Sequence, residues 1–330
     1  MTRKKVALIY GGNSSEWEIS ILSGKNVAAH IDRSRYDVYE ILLRGTSWSV
    51  CDPACEKPVP VAEVDKTDFS AVVGGEKVKF DVAFLMIHGN PGENGLLQGY
   101  FEMMGIPFTT CSSFVSALTF NKYSCKSFLK DSGVLLPKDV YLRKGAPIDE
   151  AEIILRLGLP VFVKPVDDGS SFGVSKVKNK DQLAPAIRKA MMESDCVMVE
   201  SYMEGTEVTV GCYKTRNKTV IFPPTEVVTS NEFFDYDAKY NGQVDEITPA
   251  RISDDLTNRL KQLTSHIYDI LYCNGIIRID YIISKEGKIS MLEVNTTPGM
   301  TATSFIPQQV RAAGLDIKDV LTDIVENQFV

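Results

Sequence analysis

Four polar residues interrupt two otherwise apolar runs: Arg278 and Asp280 in IIRIDYII, and Glu293 and Asn295 in ISMLEVN. The runs flank Lys285-Glu286-Gly287-Lys288, a polar turn of the kind that joins antiparallel strands. Successive strand residues point to opposite faces, so Arg278 shares a face with Asp280, and Glu293 with Asn295. Charge among Ile, Tyr, Met, Leu and Val is costly unless it is paired or bound to metal. One reading is a cross-strand Arg–Asp ion pair beside a solvated edge. The other treats two carboxylates and an amide oxygen as a hard donor set suited to Mg2+, which keeps waters and shares phosphate oxygens. On that reading the hairpin is a platform for metal and phosphate.

The rest of the chain must place such a platform in a soluble globular protein. With 330 residues, 44% hydrophobic and 24% charged, it has material for two or three domains. A net charge of −7 argues against a sequence-independent nucleic-acid binder. Seven scattered cysteines without a Cys-x-x-Cys pair, and three histidines, suggest neither a disulfide framework nor zinc. The first apolar run stops after Tyr10, short of a signal-peptide core, and no stretch approaches a membrane span, so a reducing cytoplasm and no membrane partner are expected.

Lys5 to Tyr10 meets Gly11-Gly12 and then a helix expected from Glu16 to Ile31, with a Ser15/Glu18 capping box. Strand, glycine turn and helix suggest an α/β unit; Glu16 is either part of an anion-favouring helix start or simply a first-turn acid. Strands are expected over 36–43 and 81–87. The latter enters HGNPGENG, the place for a ligand loop in an open α/β sheet, although His88 could equally be a hydrogen-bonded strand-end residue. Residues 51–80 give no readable pattern. A helix is expected from Ser112 to Ser132, a second helix over 149–157, and strands at 141 and at 160–164. Lys164 then precedes PVDDGSSFG, small, polar and bracketed by glycines. It suits a triphosphate, with amides and hydroxyls donating and lysine supplying charge, or it is an ordinary surface turn; no Walker spacing occurs. Residues 228–247 lack periodicity but carry aromatics, which suits a lid.

Taken together, Glu16 in GGNSSEWEIS, HGNPGENG, Lys122, VKPVDDGSSFG, VESYMEGTE, DYDAKY, RIDY and LEVNTTPGM resemble, in order and over nearly the whole chain, the D-alanine:D-alanine ligases of the ATP-grasp superfamily. The resemblance implies an α/β three-domain ATP-grasp fold: an N-terminal parallel-sheet domain over 1–120, a central domain over 121–203 and a C-terminal one over 204–330 with a lid at 228–247. ATP is gripped between the antiparallel sheets of the last two. It implies joining of two D-alanines through an acyl phosphate for peptidoglycan and cell-wall synthesis. It further implies ATP as co-substrate, two assisting Mg2+ or Mn2+ ions, and a homodimer.

Residue by residue, the resemblance gives Lys122, Lys164 and Ser171 to the phosphates and Lys239 to the γ phosphate. Glu200, Ser201 and Met203 meet the adenine and Glu207 the ribose. Asp280, Glu293 and Asn295 hold the metals; Arg278 and the Gly299 amide form the oxyanion hole. Glu16 and His88 lie at the first D-alanine, Ser304 and Phe305 at the second. Ser170 and Tyr240 link Glu16 to the lid. Trp17 and Phe305 depart from the family pattern near the amino-acid pocket. Two alternatives stay open: a ligase that takes D-lactate or D-serine second, and a non-catalytic nucleotide-binding regulator on the same scaffold.

Overall fold

The computed structural model describes residues 3–167, 173–229 and 244–329. The chain opens with β1 (Lys4–Gly11), α1 (Trp17–His30), β2 (Tyr36–Arg44), β3 (Ser47–Cys51), β4 (Pro60–Asp65), β5 (Ser70–Val73), β6 (Glu76–Lys79), β7 (Val82–Leu85) and α2 (Leu96–Met104). The strands form one sheet in the order β6-β5-β4-β3-β2-β1-β7. Only β2-β1-β7 run parallel, and the other pairs are antiparallel, so the expected parallel sheet is a mixed one. Beyond β3, the added strands β4 to β6 come from the unread residues 51–80. They are short and charge-bearing, as in Glu76-Lys77-Val78-Lys79; such residues keep an exposed edge from pairing and hide it from a hydrophobic pattern.

The helix expected over 112–132 breaks into α3 (Ser113–Phe120) and α4 (Lys122–Leu129). Asn121 is the cause. Its backbone is extended, and its side chain accepts from the Ser124 amide at 2.9 Å, capping α4 while ending α3. Lys122 thereby starts a helix, its amide donating to the Val166 carbonyl at 2.7 Å. Next come β8 (Asp139–Arg143), α5 (Glu150–Leu157), β9 (Val161–Pro165), β10 (Ser175–Val177), α6 (Leu183–Glu193) and β11 (Cys196–Ser201). These strands make an antiparallel sheet ordered β10-β9-β11-β8, with Ile153 of α5 and Leu183, Ile187 and Ala190 of α6 in its core.

The third sheet takes β12 (Thr206–Lys214), β13 (Thr219–Ile221), β14 (Thr225–Thr229) and β15 (Val244–Ile247), then, after α7 (Asp254–Ile270), β16 (Ile277–Ile283) and β17 (Ile289–Asn295). Its order is β15-β14-β12-β16-β17, with β13 also on β12. Leu260 and Ile267 of α7 pack beneath it, together with Val115 of α3 and Leu129 of α4. The closing helices, α8 (Phe305–Ala312) and α9 (Ile317–Glu326), return to the first sheet: Ile306, Val310, Leu321 and Ile324 share a core with Val6, Leu8 and Tyr10.

Gln309 of α8 repairs a gap in the third sheet. On one edge of β12 the pairing with β14 ends at Thr209, and that with β13 begins at Cys212. The fully buried Gln309 accepts from the Gly211 amide at 2.8 Å and donates to Thr209 O and Thr225 Oγ1, both at 3.0 Å. Gln309→Leu strands those groups without water, so it should cost about 2–4 kcal/mol. Thermal or urea unfolding reads this; an unchanged midpoint would show that the amide bonds are dispensable.

Candidate active site

The platform hairpin is β16–β17. Register pairs Arg278 with Asn295 and Asp280 with Glu293, so all four share one face. A bulge follows: Asp280 faces Glu293 but Tyr281 faces Met291, leaving Leu292 as the extra residue. Leu292 and Glu293 therefore both face the cavity, which no alternating pattern reveals.

Arg278 grips Asp280 bidentately, Nε to Oδ1 at 2.9 Å and Nη2 to Oδ2 at 2.8 Å. Thr209 Oγ1 also donates to Asp280 Oδ1, at 2.5 Å, and Asn295 Nδ2 donates to Oδ2 at 3.3 Å. Burial alone would lower the Arg278 pKa; Asp280, Glu293 and Glu93 outweigh it and hold the guanidinium charged. Phe305 lies under it, 5.4 Å from Cζ to ring centre. Lys122 reaches Glu293 at 3.4 Å.

Opposite stands the second sheet. Glu200 on β11 is 3% exposed; one carboxylate oxygen accepts from Lys126 Nζ at 2.6 Å, and the other pairs with Lys164 of β9. Burial would raise the Glu200 pKa, but the two lysines more than reverse this and keep it ionised. Ser201 follows, its amide already donating to the Lys138 carbonyl. Between the sheets lies a cavity of about 880 Å3. Its walls include Lys122, Lys164, Glu200, Ser201 and Met203 from one side, and Glu207, Arg278, Asp280, Glu293 and Asn295 from the other. Glu16, His88, Gly299, Ser304 and Phe305 line one part of the same space. Ser170, Ser171, Lys239 and Tyr240, with most of the expected lid, lie outside the described residues.

Three straps hold the 297–300 turn against the first sheet. His88, 6% exposed, donates from Nδ1 to the Thr297 carbonyl at 2.9 Å, which leaves Nε2 to accept from Ser23 Oγ at 3.1 Å. Ser23 Oγ accepts from the Met300 amide, and Asn26 Nδ2 donates to the Met300 carbonyl at 2.7 Å. Ser20, Ser23 and Asn26 recur at three-residue spacing, so α1 turns a small polar face inward. The expected capping box is absent: Glu16 is the N-cap, with no side-chain cap bond, and Ser14 Oγ accepts its amide instead. Gly24 lets this helix touch β1, since a Cβ there would stand 2.3 Å from the Tyr10 ring. At Gly299 a Cβ would meet Ser304 Oγ at 2.9 Å, which keeps that backbone bare toward the cavity. Trp17, expected near the pocket, instead stacks against Arg44 at 4.5 Å and does not line the cavity.

Sequence reasoning gave no role to Glu93, Thr209 or Lys126. Lys126 lies one helical turn after Lys122, and that spacing was the available signal. Glu93 sits within HGNPGENG and accepts from the Gly89 amide at 2.6 Å.

Among the described residues no cluster of three or more His, Cys, Asp or Glu could hold a metal alone. Two carboxylates and an amide beside lysines fit Mg2+, which takes few protein ligands and completes its shell with water and phosphate. They do not fit a site that binds metal without a nucleotide.

Two antiparallel sheets closing on one cleft, with Lys164 on one and Lys122 at the start of α4, facing Asp280, Glu293 and Arg278 on the other, define an ATP-grasp enzyme. Family models described as the D-ala D-ala ligase N-terminus and C-terminus match residues 5–111 and 128–326. A D-alanine–D-alanine ligase from Bacteroides thetaiotaomicron is 57% identical over 327 residues, 99% of this chain and all of that one. Among solved structures, a D-Ala:D-Ser ligase from Enterococcus faecalis superposes with TM-score 0.88 at 31% identity, covering 99% of this chain and 100% of that one. A Bacillus anthracis D-alanine–D-alanine ligase complexed with ATP gives 0.78 at 26%, covering 99% and 97%. The chain belongs to the D-ala D-ala ligase family.

Glu93 yields a pH test. Burial first, then the charge of Glu16, pushes its carboxyl up to about 7, against the pull of the Gly89 and Thr297 amides and of Arg278. Between its ordinary 4.5 and that value the folded chain holds a proton that the unfolded chain releases. Stability from this group therefore falls as pH rises through that window. Glu93→Gln removes the penalty, so the melting temperature of the variant minus that of the parent should increase from pH 5 to pH 8. A difference independent of pH would contradict the assignment.

Proposed function

We infer that this chain joins two D-alanine molecules into D-alanyl-D-alanine, splitting ATP into ADP and phosphate, for the bacterial cell wall. The observation that carries this is one cavity in which Lys164 of the second sheet and Lys122 of α4 face the carboxylates and arginine of the third sheet. The full-length relatives named for this reaction support it. Sheets confined to residues 4–85, 139–201 and 206–295 support three domains over 1–120, 121–203 and 204–330.

A carboxylate is a poor electrophile, so the first D-alanine must be activated. Its ammonium is held by Glu16, and its carboxylate oxygen attacks the γ phosphorus of ATP. The bond to the β-phosphate oxygen breaks, leaving ADP and an acyl phosphate. Lys122 and Lys164 neutralise the α and β phosphates and Lys239 the terminal one, Ser171 also binds ATP, and Glu200, Ser201, Met203 and Glu207 take the nucleoside. Asp280, Glu293 and Asn295 would hold two Mg2+ or Mn2+ ions, which supply countercharge to the phosphates when bound. The second D-alanine, its carboxylate at Ser304 beside Phe305, attacks the acyl carbon with its amine nitrogen. Arg278 and the Gly299 amide receive the charge developing on the carbonyl oxygen, and phosphate leaves. His88 serves by fixing the turn that carries Gly299.

Water would destroy the acyl phosphate. The paired strands β14 and β15, whose Val228 and Glu246 line the cavity, support a lid at 228–247 that excludes it, with Tyr240 and Ser170 tying it to Glu16. All seven cysteines are free thiols, which supports a cytoplasmic setting; exposed Leu96, Met103 and Phe114 offer an apolar face to a homodimer.

The D-Ala:D-Ser likeness motivates a second reading, in which the acceptor is not D-alanine. Phosphate release from ATP should require D-alanine, with L-alanine equal to no addition, and in competition among D-alanine, D-serine and D-lactate the dipeptide of D-alanine should dominate. Equal release in all cases sinks the ligase function; a dominant D-serine or D-lactate product moves the assignment to the second reading.

A further inference from the structure

Lys126 is a lysine of α4 that does not itself line the cavity, yet it is among the most buried charges of the described residues, 3% exposed. Its ammonium is fully committed. It donates to the Pro137 carbonyl at 2.9 Å and to Glu200 Oε1 at 2.6 Å, and it pairs with Asp139 Oδ2 at 2.7 Å. Three elements thus converge on one nitrogen: α4, β11, and the start of β8 with the residue that leads into it. Its carboxylate partner Glu200 does line the cavity, with its other oxygen on Lys164.

An ammonium has three protons, and here three oxygens take them. Glu200 is therefore fixed between two cations and can present only lone pairs toward the cavity. A carboxylate held in that state accepts from an amino group and repels a carbonyl oxygen.

We propose that Lys126 is a positioning residue for nucleotide choice: by clamping Glu200 as an obligate acceptor, it makes the cleft select a purine with a 6-amino group over one with a 6-oxo group. This rests on the reading that Glu200 meets the base. The charged groups facing Glu200 are Lys126 from α4 and Lys164 from β9, with Asp139 of β8 behind Lys126. With Lys126 gone, one cation remains against a buried carboxylate, and protonation becomes easier. A protonated Glu200 can donate to a 6-oxo group, so discrimination must weaken as pH falls.

The test is the ratio of kcat/KM for ATP over GTP, with D-alanine saturating, in the full-length protein from pH 6 to pH 9. The parent ratio should be flat with pH. Lys126→Met should lower it by about tenfold or more at pH 6, less at pH 9, with the change in the nucleotide KM and not in the D-alanine KM. Lys126→Arg, which keeps the charge, should restore most of the preference. If Lys126→Met does not fold, Lys126→Gln carries the test, since it keeps a donor without the charge: its ratio at pH 6 should fall below that at pH 9. A flat, parent-like ratio in the folded Lys126 variant overturns the proposal.

Glu200→Gln separates the two layers. If it lowers the preference while the Lys126 variants do not, Glu200 meets the base but Lys126 does not govern it. If Glu200→Gln leaves the preference intact, the adenine reading itself fails, and the proposal with it.

Discussion

Three carboxylates of the cleft are held by cations in or just behind its walls. Asp280 is held by Arg278, Glu293 by Lys122, and Glu200 by Lys164 and Lys126. Asp280 and Glu200 are too enclosed to stand alone, because an uncompensated charge in such surroundings is strongly destabilising. The Arg278–Asp280 pair lies within β16 and the Lys164–Glu200 pair within the second sheet. Helix α4 reaches both sheets, pairing Lys122 with Glu293 of the third and Lys126 with Glu200 of the second. Lys122 comes from the start of α4 and its partner from β17, so an ion pair spans the space that a nucleotide would enter. Residues suited to grip phosphate and metal are the same ones that neutralise each other without them.

The end of the cleft lined by Glu16, His88 and Gly299 depends on a different device. The turn at 297–300 belongs to the third sheet by sequence, but it is fastened to the first by His88, Ser23 and Asn26. Backbone atoms of that turn are thereby positioned by uncharged hydrogen bonds, each of modest net strength but jointly specific. Glu93 and Glu16 lie beside it, and the closing helices α8 and α9 lock the same two sheets together from behind. A rigid floor of this kind is what an oxyanion site requires, since donors must already point where charge will develop.

Much of this was legible from residue order. Parity along IIRIDYII and ISMLEVN placed Arg278, Asp280, Glu293 and Asn295 on one face, because a strand has a period of two whatever surrounds it. The bulge at Leu292 was not legible, since an extra residue in a ladder leaves no mark on composition. Asn121 broke an apparently continuous helix by side-chain capping, a local competition that the hydrophobic period of 112–132 outvoted on paper. Residues 51–80 escaped because edge strands carry charge where core strands carry Val and Ile. Lys126 was given no role from residue order, because only its tertiary meeting with Asp139 and Glu200 makes it a buried charge.

If Glu293 is committed to Lys122 until phosphate draws that lysine away, then metal and nucleotide must bind together. The direct measurement is Mn2+ binding followed by electron paramagnetic resonance, with and without a non-hydrolysable ATP analogue, in the parent and in Glu293→Gln. The predicted result is weak Mn2+ binding to the free protein, strengthened by about tenfold or more when the analogue is present, with that gain lost in the variant. Mn2+ binding equally tight with and without the analogue, or a gain that survives Glu293→Gln, would contradict the account.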